Sequence, residues 1–488
     1  MEIKSKIIEV FKGGGLYSAA SIIQNLVYFF LIPIYTTYLS TADYGVIGLM
    51  TISAGIILNI TKIPSATAFV RFYYSPDYES QRKTLLFNSI AFALFQSGIF
   101  AACFYLFSSS IAEILLNTRE YQIIIQIYSI IIFLQPLENI VQDLVKIKKN
   151  VKLFVAMLLS NVILTSSLIL TLLLVYEKGI MALVFGSLFS AIYPILFLFK
   201  ELKSSIEFNF DFKLLKVLLK YGYPLVFSAL SFYLLRSVDQ YLIKYYFDIT
   251  RVGVYSFAYS FGWLIAVFFA LPLSSIIEPV IFEMEKRKED LIAFVKKSSK
   301  YFFFAGTFIW LLLALFSKEL IELAAQKKEF WEAIPFIPII AFAYLNYGLI
   351  FILNKGLELA KKTYIISWIN IAALLLNITL NIIFLPKYEL YAASFNLVIT
   401  LVFILFATAY YSKKLFGIRI DFVNILKIAA FGIFTCLISL LFIKLNLVIF
   451  IFVKIVLLLL FIALVFFSSF LKEEKQAIFH FFKHKNDE

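Results

Sequence analysis

Histidine, cysteine and charge are all scarce in this sequence, and each shortage removes a class of function. The 488 residues include two histidines and two cysteines. His480 and His484 fall near the C-terminal end. An i, i+4 pair of this kind can hold a metal on a helix, but in a charged tail it reads better as two solvated side chains. Cys103 and Cys436 both lie in apolar stretches, which leaves no disulfide framework. No Walker-type glycine loop occurs, so ATP hydrolysis is not expected of this chain. Charged residues make up 15% of the chain, against roughly a quarter in soluble domains. The formal charge of +13 does not indicate nucleic acid, because the lysines and arginines are scattered over short loops instead of gathered in one patch. Met1 to Gly15 shows no cleavage-site pattern. Ile3, Ile7, Ile8 and Phe11 there suit one face of a short interfacial helix, with Lys4, Lys6 and Lys12 near phosphate.

What the sequence has in abundance is apolar length. It is 62% hydrophobic and carries 56 Phe and 29 Tyr, suited to lipid-facing surfaces and interfacial belts. Fourteen stretches approach the length needed to cross a hydrocarbon core of about 30 Å. They lie near 15–38, 44–62, 84–107, 121–143, 153–175, 179–199, 221–246, 252–275, 301–317, 332–354, 363–385, 389–411, 425–443 and 447–470. The expected fold is therefore an all-α polytopic membrane protein. With the N-terminus inside, 33 of the 44 lysines and arginines fall in segments on the inner side and nine in the opposite loops, with Arg236 and Lys454 inside spans. That bias predicts cytoplasmic N- and C-termini. No external loop exceeds about fifteen residues, which leaves no room for a soluble catalytic domain.

An internal repeat is visible. Tyr44-Gly45-Val46 precedes Pro64 as Val252-Gly253-Val254 precedes Pro272, at an offset of 208. Gly179-Ile180-Met181-Ala182 is echoed by Glu389-Leu390-Tyr391-Ala392 at an offset of 210. Six spans per repeat is even, so the halves share one orientation and a pseudo-twofold axis along the membrane normal. The expected domains are a lobe over 1–207, a second over 208–417, and 418–488 for the two extra spans and a cytoplasmic tail.

Polar groups inside spans carry the functional signal. Arg236 and Asp239 lie in span seven, and a spacing of three on an unbroken helix puts both on one face. A charge at mid-bilayer costs several kcal/mol, so it faces protein or water. The pair is either an internal ion pair that neutralises itself or part of a cavity lining, and it can be the first until an anion opens it. Gln24 and Asn25 in span one, and Gln135, Glu138 and Asp143 along span four, suggest a wet interior. Asn370, Asn377 and Asn381 share one face of span eleven, where hydrogen bonding between helices is an equal alternative. Lys62 and Arg71, near the inner end of span two, either meet phosphate or snorkel to headgroups. Glu278, before Pro279 in the extended end of span eight, is equally ambiguous, and Lys454 in span fourteen is expected near an interface. Asp43 could be a catalytic acid, but Ser40-Thr41-Ala42-Asp43 reads better as a helix start.

The order of these motifs resembles one family. Gly14-Gly15, then Pro33-x-Tyr35-x-x-Tyr38-Leu39-Ser40-x-x-Asp43-Tyr44-Gly45, is similar to the start of polysaccharide-biosynthesis flippases of the O-antigen (Wzx-like) type. Ala68-Phe69-Val70-Arg71-Phe72-Tyr73 resembles the close of their second span. Ser237-Val238-Asp239-Gln240-Tyr241-Leu242-Ile243 followed by Val252-Gly253-Val254-Tyr255 resembles their seventh-to-eighth-span signature. Asn377-x-x-x-Asn381-x-x-x-x-Pro386 followed by Ala392-Ala393 resembles the eleventh-to-twelfth. The likeness covers most of residues 12–415 and departs at Glu389-Leu390-Tyr391, where the family often has glycines.

The resemblance implies a member of the multidrug/oligosaccharidyl-lipid/polysaccharide exporter superfamily, with two six-helix lobes around a central cavity and two further helices. The implied substrate is an undecaprenyl-diphosphate-linked oligosaccharide, moved from the inner to the outer leaflet of a bacterial cytoplasmic membrane. Arg236, with Arg71 and Lys62, would bind the diphosphate, while Gln24, Asn25, Asn377 and Asn381 would hydrogen-bond sugar. Asp239 would hold Arg236 or sense a coupling ion. No cofactor is implied beyond a coupling proton or sodium ion, and partners are membrane lipids and other polysaccharide-assembly proteins. The competing readings are a multidrug or lipid II exporter of the same fold, a membrane glycosyltransferase or polymerase, and a non-transporting scaffold of an assembly complex.

Overall fold

The structure, a computed structural model, describes residues 2–284, 288–442 and 446–468. All regular secondary structure among them is helical, and thirteen helices are long and apolar enough to cross a membrane. One of these, Tyr364–Leu415, has 52 residues. At 1.5 Å per residue it would run to about 78 Å, far beyond a single crossing. It is in fact interrupted at Glu389, where φ is 48° and ψ −136°, and so supplies both the eleventh and the twelfth span. Every expected stretch thus has a helical counterpart in a multi-pass membrane protein. The side chains of the amphipathic start, and His480 and His484, lie outside the described residues.

Span seven departs most from expectation. It begins at Phe212 and stops at Leu235, and a separate helix follows over Val238–Tyr246. Span two also departs, running on through a wide π turn at Ile63–Thr67 that contains Pro64. A second π turn, Ala266–Ala270, precedes Pro272 in span eight. Proline removes a backbone donor and crowds the preceding turn, so the helix must widen or bend there. Pro64 therefore lies within a local widening, and Pro272 lies just after one.

The glycines of the repeat have a sharper role. A Cβ on Gly45 would overlap the carbonyl oxygen of Ile249, and one on Gly253 would overlap that of Thr41. The helices starting at Thr41 and Ile249 cross there, backbone against backbone. The helix at Thr41 is started by a capping box. Ser40 Oγ accepts from the Asp43 N–H at 3.2 Å, and Asp43 Oδ2 accepts from the Ser40 N–H at 2.8 Å. Asp43 is thus engaged as a helix-start residue, since this geometry satisfies two otherwise orphaned donors.

The second echo is visible in the backbone. Gly179 has φ 52° and ψ −134°, and Glu389, at the matching position, adopts nearly the same values. The turn needs a glycine conformation, and in the second copy a glutamate is forced into it. Such a residue stores on the order of 1–3 kcal/mol. Its ion pair with Arg251, 3.5 Å long, is half exposed and contributes little. Glu389→Gly is therefore expected to raise the melting temperature of the purified protein in detergent. An unchanged or lower midpoint would show that the strain is absorbed or that the Arg251 contact matters more.

The chain divides into two compact units. The first contains the described residues of Met1–Phe257 together with Leu323–Glu332 and Asn370–Ala393. The grouping follows packing: helix Phe212–Leu235 lies on the Ile63–Thr67 turn, where Gly222 meets the backbone of Pro64. The second unit contains Ala258–Glu322, Ala333–Ile369 and the described residues from Ser394 onward. Within it Lys454 is 1% exposed, bonded to Glu319 Oε1 at 2.5 Å and set between the rings of Phe450 and Phe316. Its charge is met by a carboxylate and two aromatic faces inside the protein. Lys355 is similarly held, 2.7 Å from Glu278 and 3.0 Å from Glu358.

Candidate functional site

The break in span seven is marked by local hydrogen bonds. Ser237 Oγ donates back to the carbonyl of Tyr233 at 2.8 Å, and the Arg236 and Ser237 N–H groups close tight turns to Tyr233 and Leu234. Such side-chain bonds compete with helix continuation. The break leaves Arg236 at the C-terminal end of one helix and Asp239 in the first turn of the next. Each charge complements the partial charge of the helix end it occupies.

The break also removes the continuous helix on which a spacing of three would align the two charges. Asp239 takes its hydrogen bonds elsewhere: the Tyr255 hydroxyl donates to Oδ2 at 3.0 Å and Asn381 Nδ2 donates to Oδ1 at 2.8 Å. Asn381 Nδ2 also donates to Asn377 Oδ1 and to the Asn377 carbonyl, both at 3.0 Å. Asp239, Tyr255, Asn377 and Asn381 are all fully buried. The half-buried Arg236 guanidinium lies 5.8 Å from the centroid of the Phe232 ring. Asp239, Tyr255, Asn377 and Asn381 thus form a polar knot joining spans seven, eight and eleven.

Neighbouring residues repeat the pattern. Ser256 Oγ donates to Gln240 Oε1 at 2.7 Å, and the Tyr241 hydroxyl lies 2.7 Å from Ser53 Oγ on span two. Asp239–Tyr255 and Gln240–Ser256 share a separation of sixteen residues, so the two helices form a hairpin about Phe247 and Asp248. Tyr255 and Ser256 are the residues the sequence reading missed. Tyr255 closes the Val252-Gly253-Val254-Tyr255 motif, and that position was the available signal.

The remaining expected residues stay apart from this knot. Lys62 is half-buried at the end of helix Thr41–Lys62, and the π turn separates it from exposed Arg71. Gln24 is half-buried, and Asn25 Nδ2 donates to the Ser21 carbonyl of its own helix at 2.7 Å. Gln135 and Glu138 of span four line a chamber of about 400 Å³ within the first unit, together with Tyr28, Tyr128, Ser187 and Ser190. The hydroxyl of Tyr35 and Oε1 of Gln135 border it with no hydrogen-bond partner among the described residues. Among the described residues no group of three His, Cys, Asp or Glu side chains could hold a metal.

Comparison with known proteins fits this architecture. A family model described as polysaccharide biosynthesis protein matches residues 36–335. No curated protein sequence matches the chain. Among solved structures, the lipid II flippase MurJ in an inward closed conformation is similar with a TM-score of 0.73 and 18% identity, covering 91% of this chain and 97% of that one. An inward-facing multidrug resistance MATE family transporter of the MOP superfamily gives 0.64 and 12%, with 81% and 94% covered. A mutant of the Vibrio cholerae MATE transporter VcmN gives 0.61 and 14%, with 84% and 97% covered. At these identities the likeness concerns the fold, which is the polytopic fold of these transporters.

Proposed function

The chain belongs to the polysaccharide biosynthesis protein family, and from that premise we propose that it is a flippase. Its substrate is an undecaprenyl-diphosphate-linked oligosaccharide, carried from the inner to the outer leaflet of a bacterial cytoplasmic membrane by alternating access. The observation that carries this reading is the discontinuity of span seven at Arg236 and Ser237. Transporters build substrate and ion sites from broken helices, whose ends present charge and free backbone groups inside the bilayer. Arg236 offers a planar fork of donors to a diphosphate, with Lys62 and Arg71 as further cations nearer the inner end of span two. Gln24 and Asn25 offer hydrogen bonds to sugar.

The coupling role, for a proton or a sodium ion, falls to Asp239. As arranged it receives an O–H and an N–H donor, so a sodium ion would require the amides of Asn377 and Asn381 to turn their oxygens inward. Because its partners come from spans eight and eleven, a change of charge at this one carboxylate loosens three spans together. An O-antigen or related glycan, and both termini in the cytoplasm, complete the reading. A multidrug exporter of the same fold would need an acidic site open to organic cations, whereas the Asp239 carboxylate is fully buried and occupied.

Reconstitution tests the proposal. Vesicles containing the purified protein and a radiolabelled undecaprenyl-diphosphate oligosaccharide are expected to expose the glycan to an external glycosidase far faster than protein-free vesicles. Equal rates, together with uptake of a lipophilic cation, would favour the multidrug reading.

A further inference from the structure

We propose that the end of the first unit bearing Arg82, Lys83 and Lys148 is a binding site for the anionic phosphodiester headgroup of a membrane phospholipid. A pocket of about 380 Å³ opens there, lined by these three cations, by Ser204 and Ser205, and by a floor that includes Leu86 and Leu144. The residues come from three separate places in the chain: the start of span three, the end of span four, and the segment after span six. Basic residues at span ends are common. Convergence on one concavity is not, and here two of the cations are also held in place.

Arg82 Nε donates to the Tyr73 carbonyl at 3.0 Å, and its guanidinium stacks 4.7 Å from the centroid of the Tyr73 ring. Lys148 Nζ donates to Ser205 Oγ at 2.6 Å and to Glu201 Oε2 at 2.8 Å. Of the two acidic partners, Glu201 is one-third exposed and shares Lys148, whereas Glu79 is a weak competitor. Glu79, 3.1 Å from Arg82, is 69% exposed, and exposed pairs contribute little. Lys83 is exposed and has no ion pair among the described residues. A phosphate entering the pocket can therefore take the fixed Arg82 guanidinium, the Lys83 ammonium and a share of the Lys148 ammonium while Glu79 swings into water, the Ser204 and Ser205 hydroxyls remaining on the Glu201 carbonyl. Such charge-assisted bonds are roughly twice as strong as neutral ones.

The surroundings select a lipid over a soluble anion. Leu86 and Leu144 are 1% exposed and give the pocket an apolar base. Leu196, Phe197 and Phe199, on the segment leading to Ser204, are exposed and offer acyl chains a surface. Basic pockets between transmembrane helices are known to take anionic headgroups. In the orientation proposed above, the site lies in the inner leaflet.

The experiment is native mass spectrometry of the full-length protein released from nanodiscs of phosphatidylglycerol mixed with phosphatidylcholine. The parent is expected to retain phosphatidylglycerol selectively. Arg82→Gln with Lys148→Gln should lower that retention by about tenfold per cation removed. Lys83→Gln touches no intraprotein bond, so it keeps the test valid if the double variant misfolds, and it should weaken retention by itself. A second arm titrates inorganic phosphate against thermal stability in detergent. Stabilisation by millimolar phosphate with no preference for phosphatidylglycerol would overturn the lipid assignment. Equal retention by the parent and Lys83→Gln, or no selective retention at all, would overturn the site.

Discussion

Gly253→Ala is expected to prevent accumulation of folded protein, while Gly98→Ala leaves it intact. The methyl group added at Gly253 would occupy the position of the Thr41 carbonyl oxygen, and Gly45 opposes it across the same crossing. Backbone cannot swing aside as a side chain can, so the two helices would have to part along their first turns. Overpacking in a core typically costs about 1–3 kcal/mol, and a clash against main chain belongs at or beyond the upper end of that range. Small residues are what let membrane helices approach this closely. At Gly98 the nearest atom to a new Cβ is a Phe133 ring carbon at 3.7 Å, an ordinary contact. Fluorescence-detected size exclusion of the two variants reads the difference directly. A monodisperse Gly253→Ala protein melting like the parent would show that the crossing is looser than described.

The second large effect concerns Arg236. Arg236→Ala is expected to abolish glycan export while the protein still inserts and accumulates. Arg236→Lys should keep partial activity, because a point charge replaces a planar fork. If the two charges simply neutralised each other, adding Asp239→Ala to Arg236→Ala would restore function. The geometry predicts the reverse. Asp239 satisfies Tyr255 and Asn381, not Arg236. Removing it takes one charged acceptor from the Tyr255 hydroxyl and one from Asn381 Nδ2, and a hydrogen bond to a charged group contributes about 1.5–3 kcal/mol. The double variant should therefore be less stable than Arg236→Ala and equally inactive, as measured by export at matched expression and by melting in detergent. Rescue by the double variant would overturn both the polar knot and the binding role of Arg236.

What the sequence disclosed and what it hid divide along a physical line. The apolar stretches were legible because hydrocarbon thickness fixes their length, and the Gly45, Pro64, Gly253 and Pro272 landmarks because backbone constraints belong to single residues. The Gly179–Glu389 echo was legible as an alignment, but only the backbone angles show that the glutamate takes a glycine's conformation. Asp239, Asn377 and Asn381 each stood out as polar groups in apolar runs. Their union did not, because a hydrogen bond across 142 residues leaves no periodic trace. The spacing argument for Arg236 and Asp239 assumed an unbroken helix, whereas the helix ends at Leu235 and a new one starts at Val238. The partner of Lys454 was hidden for the same reason as that union, since Glu319 lies 135 residues upstream.

The reach of the polar knot also sets a timetable for making the protein. Tyr255 follows Asp239 by sixteen residues, so the first donor is synthesised almost at once. Asn381 comes 142 residues after Asp239, a wait of roughly 7–30 s at about 5–20 residues per second. Through that interval spans eight to ten must enter the bilayer while one acceptor oxygen of span seven lacks its final partner. The first unit is thus begun first and finished late, and a nascent chain arrested before span eleven should be the form that quality-control proteases find easiest to recognise.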